Sequence, residues 1–217
     1  MQSLESSLPK IVVAPAFVLG FAFIYGLMLW NGVLSVTGSR MLPNYSQFVG
    51  LAQYERLFEM DRWWLALRNL GVFSVLYVGG SMLVGLLLAI FLDQKVRGEG
   101  ALRTIYLYPM ALSFIVTGTA WNWILNPGLG LEKLAHDLGW ESFVFDWLVQ
   151  PDMAIYCVVI AGIWQSAGFA MALFLAGLRG IDDSIIRAAQ IDGATLPQIY
   201  RRIILPILRP VVFSTVL

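Results

Sequence analysis

Four stretches of this chain run without a charged side chain for longer than a bilayer is thick, and they leave little choice of fold. They lie between Lys10 and Arg40, between Arg68 and Asp93, between Arg103 and Glu132, and between Asp152 and Arg179. A hydrocarbon core of about 30 Å takes about 20 apolar residues as helix. Lipid offers the backbone no hydrogen-bond partner, so each stretch must pair its own N–H and C=O groups, as a helix does. The expected class is therefore an all-α polytopic membrane protein with spans near 11–31, 70–92, 104–125 and 153–178. A fifth apolar run, 210–217, opens at Pro210 and is too short to span by itself.

Composition closes other routes. Hydrophobic residues make up 59% of the chain and charged residues 13%, about half the ~25% of a soluble domain. One soluble domain could not hide that much apolar surface. The zero net charge gives no reason to expect a nucleic-acid partner. Cys157 is the single cysteine and lies inside an apolar stretch, and His136 stands alone. Neither a disulfide frame nor a metal cluster is expected. The first apolar run starts at Ile11 and is long enough to stay as an anchor rather than be cleaved as a signal.

Loop charges orient the spans. Lys95, Arg97 and Arg103 lie between the second and third, and Arg179, Arg187, Arg201 and Arg202 after the fourth. Between the third and fourth lie Glu132, Asp137, Glu141, Asp146 and Asp152, against Lys133 alone. The positive-inside rule puts the basic loops and the N-terminus in the cytoplasm. Arg40, Arg56, Arg62 and Arg68 in the first loop run against this rule, being then outside.

The basic loop after the fourth span has internal punctuation. Asp182 or Asp183 suits an N-cap, and Ser184 to Ile191 reads as two turns of helix. Gly193 falls where a left-handed residue would end that helix. Thr195 and Pro197 suit the start of a second helix, Leu196 to Ile204, expected to close at Leu205-Pro206. The result is a polar helix-glycine-helix elbow over 182–206.

Ala188-Ala189, three residues, Gly193, nine residues and Ile203-Ile204-Leu205-Pro206 resemble the signature loop of binding-protein-dependent ABC importer permeases. That signature reads Glu-Ala-Ala, three residues, Gly, nine residues, Ile-x-Leu-Pro. The longer run Ala188 to Ala194 is similar to the carbohydrate-uptake branch of maltose and glucose/mannose type. Arg187 stands where the family usually has glutamate. The resemblance implies the ABC importer permease fold, a core of six transmembrane helices of which about four and a half are present here. It implies a multi-pass protein of the bacterial inner membrane with a cytoplasmic N-terminus. It also implies that Arg187, Ala188, Ala189, Asp192, Gly193 and Ala194 engage a separate ATPase subunit. The implied partners are a second permease in a heterodimer, an ATPase dimer that itself binds ATP and Mg, a periplasmic sugar-binding protein, and membrane lipid. No cofactor is implied for this chain, and further residues would complete a fifth and a sixth span.

The outer loop carries a second likeness. Phe48-Val49-Gly50-Leu51-Ala52-Gln53-Tyr54 resembles the sugar-permease stretch Phe-Val-Gly-Leu-x-Asn-Tyr, with Gln53 for the usual asparagine. Physically it reads as an amphipathic helix on the outer leaflet, with Trp63 and Trp64 at headgroup level. Docking of a binding protein is the compatible alternative. Leu42 to Tyr45, Asp61 to Trp64 and Tyr106 to Ser113 look most like glucose/mannose-type permeases.

No Gly-x-x-x-x-Gly-Lys-Ser/Thr run occurs, so ATP hydrolysis through that loop belongs elsewhere. No nucleophile triad or apolar carboxylate pair is evident, and the chain is not expected to be an enzyme. Polar groups inside spans are costly in lipid. Thr117, Thr119, Trp121, Asn122 and Trp123 in the third span, and Trp164, Gln165 and Ser166 in the fourth, are candidates. Thr119, Trp121, Asn122, Trp164 and Gln165 are set down as a possible substrate path, since amides, hydroxyls and indole faces suit a neutral sugar. Interhelical hydrogen bonds of about 0.6 kcal/mol each are the other reading, and Gly162 and Ser166 favour it. Gly79, Gly80 and Gly85 read as close-packing positions. An ion-coupled secondary transporter would carry a titratable residue deep in a span, and none is there. A scaffold subunit without a pore is opposed only by the elbow.

Overall fold

The computed structural model describes residues 2–40, 42–94 and 96–216, and side-chain burial from residue 13 onward. Lys95, used above for orientation, lies outside the described residues, as does Leu217 at the end of the fifth run. The chain forms two compact units, Met1–Leu67 and Arg68–Leu217, which are taken in turn.

In the first unit, helix α1 (Gln2–Ser35) contains the first span, Val13–Ser35, of which nothing is buried within the chain. Its last turn leads into a tight hairpin. Thr37 pairs with Phe48 across an isolated antiparallel bridge. The Gly38 N–H donates to Gln47 O at 2.8 Å, and the Val49 N–H to Val36 O at 2.9 Å. Helix α2 (Ala52–Glu59) follows. The Tyr54 hydroxyl donates to Ser35 Oγ at 2.7 Å, tying α2 to the end of α1. Helix α3 (Asp61–Asp93) opens with Trp63, which meets Phe58 edge to face at 6.1 Å, and Trp64, tilted against it at 6.3 Å.

In the second unit the rest of α3 packs against α7 (Ala154–Arg179), both long and apolar enough to span. Small residues set their approach. A Cβ on Gly85 would come within 2.6 Å of Ala170 Cβ and 2.8 Å of the Met171 nitrogen, and one on Gly80 within 2.3 Å of Ile163 Cδ1. Ser81 and Ser166 share a hydrogen bond at 2.8 Å across the same seam. Gly79, expected to pack in the same way, meets nothing within 4 Å and is exposed. It lies one residue from Gly80, rotated by about 100° around the helix and away from the seam.

The third expected span is broken. It consists of α4 (Glu99–Leu107), a 3₁₀ turn over Tyr108–Ala111, and α5 (Phe114–Ile124), with a bend of 101° between the two arms. Pro109 supplies no N–H and tolerates the tighter turn. Ser113 then takes an extended conformation, and its side chain accepts from the Ile115 N–H at 3.2 Å, so a fresh helix starts there. Gln165 of α7 donates to the freed Leu112 carbonyl at 3.1 Å. The short helix α6 (Leu131–Asp137) and an aromatic run, Trp140, Phe143, Phe145 and Trp147, fill the loop to α7.

Candidate functional site: the polar elbow and the cavity beside it

Helix α8 (Asp183–Ile191) begins the elbow, with Asp182 as N-cap. Its carboxylate accepts from the Ser184 N–H at 2.8 Å. That bond, with a second from the Ser184 side chain, holds the Asp182 carboxyl below its usual pKa. The helix ends on a pair of bonds. The Gly193 N–H donates to Gln190 O at 3.1 Å and the Ala194 N–H to Ala189 O at 3.0 Å. This 5→2 and 6→1 pair is the Schellman stop, which requires a left-handed residue between the two donors' helix and the next. Gly193 has φ +79°, and only glycine takes that value without cost.

Thr195 and Gln198 then form a capping box that starts α9 (Leu196–Ile199). The helix does not close at Leu205-Pro206 as expected. It widens into a π turn over Tyr200–Ile204, continues as α10 (Leu205–Ile207), and leads into α11 (Arg209–Val216). In the wide turn the Leu205 N–H reaches back to Tyr200 O. The i→i−5 register lets the chain pass Pro206 without the carbonyl clash that proline makes in a regular helix.

One side of the elbow is fastened to the spans. Ala189, Ile199, Ile204 and Leu208 are buried in one cluster with Ala89 and Leu92 from the end of α3 and Phe174, Leu175 and Leu178 from the end of α7. Gln94 donates to the Tyr200 hydroxyl at 3.3 Å. Burial, with the Asp93 carboxylate second, raises the Tyr200 pKa. Arg179 pairs with Glu99 at 2.7 Å, joining the ends of α7 and α4. The other side is open. Arg187 is exposed and makes only a 3.6 Å pair with Asp183 one turn away, a contact between two solvated groups that contributes little. Ala188, Asp192 and Gly193 are exposed, Ala189 is buried and Ala194 is half-buried.

Two residues that sequence reasoning passed over stand out. Ile191 is 86% exposed and Leu196 64% exposed, on either side of Gly193. The signal was present, since an apolar residue on each side of a polar glycine turn has no place on a solvated loop.

The second feature is a cavity of about 570 Å³ between α3, α5 and α7. Phe73, Tyr77, Phe114 and Phe169 form aromatic walls, and Thr117, Gln165 and Ser166 supply polar atoms. The Thr117 hydroxyl is buried without a hydrogen-bond partner. Of the five residues set down as a substrate path, only Gln165 lines this cavity. Thr119 turns away, its hydroxyl donating to Ile115 O at 2.9 Å. Trp121 and Trp164 meet edge to face at 5.8 Å, and Asn122 is exposed. Among the described residues no group of acidic, cysteine and histidine side chains could hold a metal ion.

Comparison with known proteins places this arrangement. The family model for the binding-protein-dependent transport system inner membrane component matches residues 81–217. An ABC transporter permease protein of Pyrococcus horikoshii is 44% identical over 92% of this chain and 69% of its own length. A xylose/arabinose import permease of Haloferax volcanii is 37% identical over 89% of this chain and 61% of its own length. An sn-glycerol-3-phosphate permease of Agrobacterium fabrum is 32% identical over 95% and 70%. The crystal structure of a bacterial ABC transporter that imports the acidic polysaccharide alginate superposes with a TM-score of 0.80 at 22% identity, over 98% of this chain and 72% of that one. At that identity the likeness is one of fold. The matched segment takes in the packed faces of α3 and α7, the broken pair and the whole elbow, and the chain belongs to the family of binding-protein-dependent transport system inner membrane components, the permeases of ABC importers.

Proposed function

We propose that this chain is the permease subunit of an ATP-driven sugar importer, that it forms the translocation path with a second permease, and that it is coupled to an ATPase through the 182–206 elbow. The observation that carries the coupling is the two-sided elbow. Its buried side is continuous with the ends of α3 and α7, while Ile191 and Leu196 stand out from its open side. A partner that covers these two and moves the elbow moves both spans with it, because a close-packed cluster transmits displacement rather than absorbing it.

Carbohydrate as cargo is supported by a relative named for xylose/arabinose import. The cavity favours a neutral sugar of glucose or mannose type over an anionic one. Its walls carry no charge, and aromatic faces suit the C–H face of a sugar ring. A periplasmic sugar-binding protein is the delivering partner in this reading, and ATP and Mg are held by the ATPase.

The test is reconstitution with a second permease and an ATPase subunit. ATP hydrolysis is expected to rise several-fold with binding protein loaded with a neutral hexose and to stay basal with unloaded binding protein. A set of sugars that never stimulates hydrolysis would overturn the cargo class. For orientation, we place the N-terminus, the 94–98 loop and the elbow in the cytoplasm. In a Cys157→Ala background, cysteines at Gln53 and Gln198 should react with an impermeant reagent from opposite faces of the membrane. Reaction of both from one face would reverse the reading.

A further inference from the structure

The first unit contains a second cavity, of about 510 Å³, between the 36–49 hairpin and α2. Arg40, Asn44, Gln47, Gln53 and Arg56 line it, and among the described residues no carboxylate does. Among the described residues neither arginine takes part in an ion pair. The walls are held by the hairpin itself. Besides the backbone pairs around Thr37 and Phe48, the Asn44 N–H donates to Ser39 Oγ at 2.8 Å, and Gln53 donates to Thr37 O at 3.5 Å. Ser46 occupies the Asn44 side-chain carbonyl at 3.0 Å through its N–H, which leaves the Asn44 amide as a donor. Two exposed, unpaired guanidinium groups and an amide around one backbone-held cup make an anion site, and the planar guanidinium fork matches phosphate oxygens.

Its height in the membrane says which anion. The cup follows the last turn of the α1 span and precedes the first turn of the α3 span. Trp30 donates to the Tyr45 hydroxyl at 2.5 Å, and Trp63 and Trp64 open α3, so indole and phenol groups gather at this level as they do where chain meets headgroups. Leu42 in the cup's wall is 80% exposed and Phe48 on the hairpin 79%. A basic cup beside uncovered apolar side chains suits a molecule with an anionic head and an acyl body.

We propose that the cup formed by Arg40 and Arg56 binds the phosphate headgroup of an anionic phospholipid. Bound there, the lipid would fasten the outer hairpin and α2 to the membrane surface independently of transport. Anionic lipid gains about fivefold in local affinity for each basic residue near the surface.

The test uses the full chain in its assembly, taken from vesicles of equal phosphatidylglycerol and phosphatidylcholine, with co-purified lipid measured by mass spectrometry. Wild-type protein should retain phosphatidylglycerol in about fivefold or greater excess. The pair Arg40→Gln and Arg56→Gln together should bring retention close to the vesicle ratio, whereas Arg62→Gln, outside the cup, should leave the excess in place. The wild-type preference is read without any substitution and so stands whether or not a variant folds. Equal retention of the two lipids by wild-type protein, an unchanged excess in the double variant, or an equal loss with Arg62→Gln would overturn the proposal. So would loss of the bound lipid on adding millimolar inorganic phosphate at constant ionic strength, which would make the cup a site for a free anion.

Discussion

Gly193→Val should leave the protein inserted and folded but abolish transport. The site has room, since a Cβ at Gly193 meets nothing within 4 Å, so no clash with neighbours is involved. The cost is conformational. A side chain at φ +79° is disfavoured by about 1–2 kcal/mol, and more when the side chain is β-branched. The elbow can avoid it only by giving up the left-handed turn, which breaks the paired stop at Gln190 and Ala189 and re-aims α8 against α9. The spans do not depend on that turn. The expected order of residual transport is Gly193, then Gly193→Asn, then Gly193→Ala, then Gly193→Val, because asparagine tolerates the left-handed region and alanine does so poorly. Size alone would place Gly193→Ala above Gly193→Asn. Sugar uptake by membrane vesicles, with the protein's level checked by immunoblot, separates the two orders.

Gly168→Val should do the reverse and prevent folding. Gly168 of α7 faces the end of α4, where a Cβ would lie 1.9 Å from the Tyr106 carbonyl oxygen and 2.7 Å from its carbon. Both obstacles are backbone, so no side chain can swing aside. Relief requires α7 and α4 to separate, which strains the Arg179–Glu99 pair that joins them. Overpacking of a well-filled interior costs about 1–3 kcal/mol, and a backbone obstacle belongs at or above the top of that range. The measurement is thermal unfolding in detergent, with yield after extraction. Gly79→Ala, at an exposed position with nothing within 4 Å, should behave as wild type. Equal stability of Gly168→Val and Gly79→Ala would contradict the packing described for α4 and α7.

The contrast between these glycines shows what could be read in the sequence. The elbow was legible because its signals are local: Asp182 before a short helix, a glycine where the helix must stop, and a threonine with a proline where the next begins. Each acts through the backbone within a few residues, and the structure places the cap, the left-handed turn and the capping box at those residues. The spans were legible because lipid imposes a length on apolar helix. What was not legible depends on rotation and on partners distant in sequence. A helix apolar on all sides carries no phase, so nothing in the third stretch separates Thr117, which faces the cavity, from Thr119, which faces away. Gly79 and Gly80 could not be told apart for the same reason. The 101° break at Leu112-Ser113 escaped because its support, the Gln165 amide, lies 53 residues further along. The π turn before Pro206 escaped because proline alone reads as an end, whereas the wider turn lets the helix continue past it.

The claim that the open side of the elbow meets the ATPase is tested most directly by cross-linking. A photoreactive side chain placed at Ile191, in membranes holding the chain with its second permease and ATPase, should form its main adduct with the ATPase, and the yield should change when ATP is bound and hydrolysed. The same group at Ile199, which is buried against the spans, should give none. Adducts at Ile191 only with lipid, or only with the second permease, would contradict the coupling proposed here.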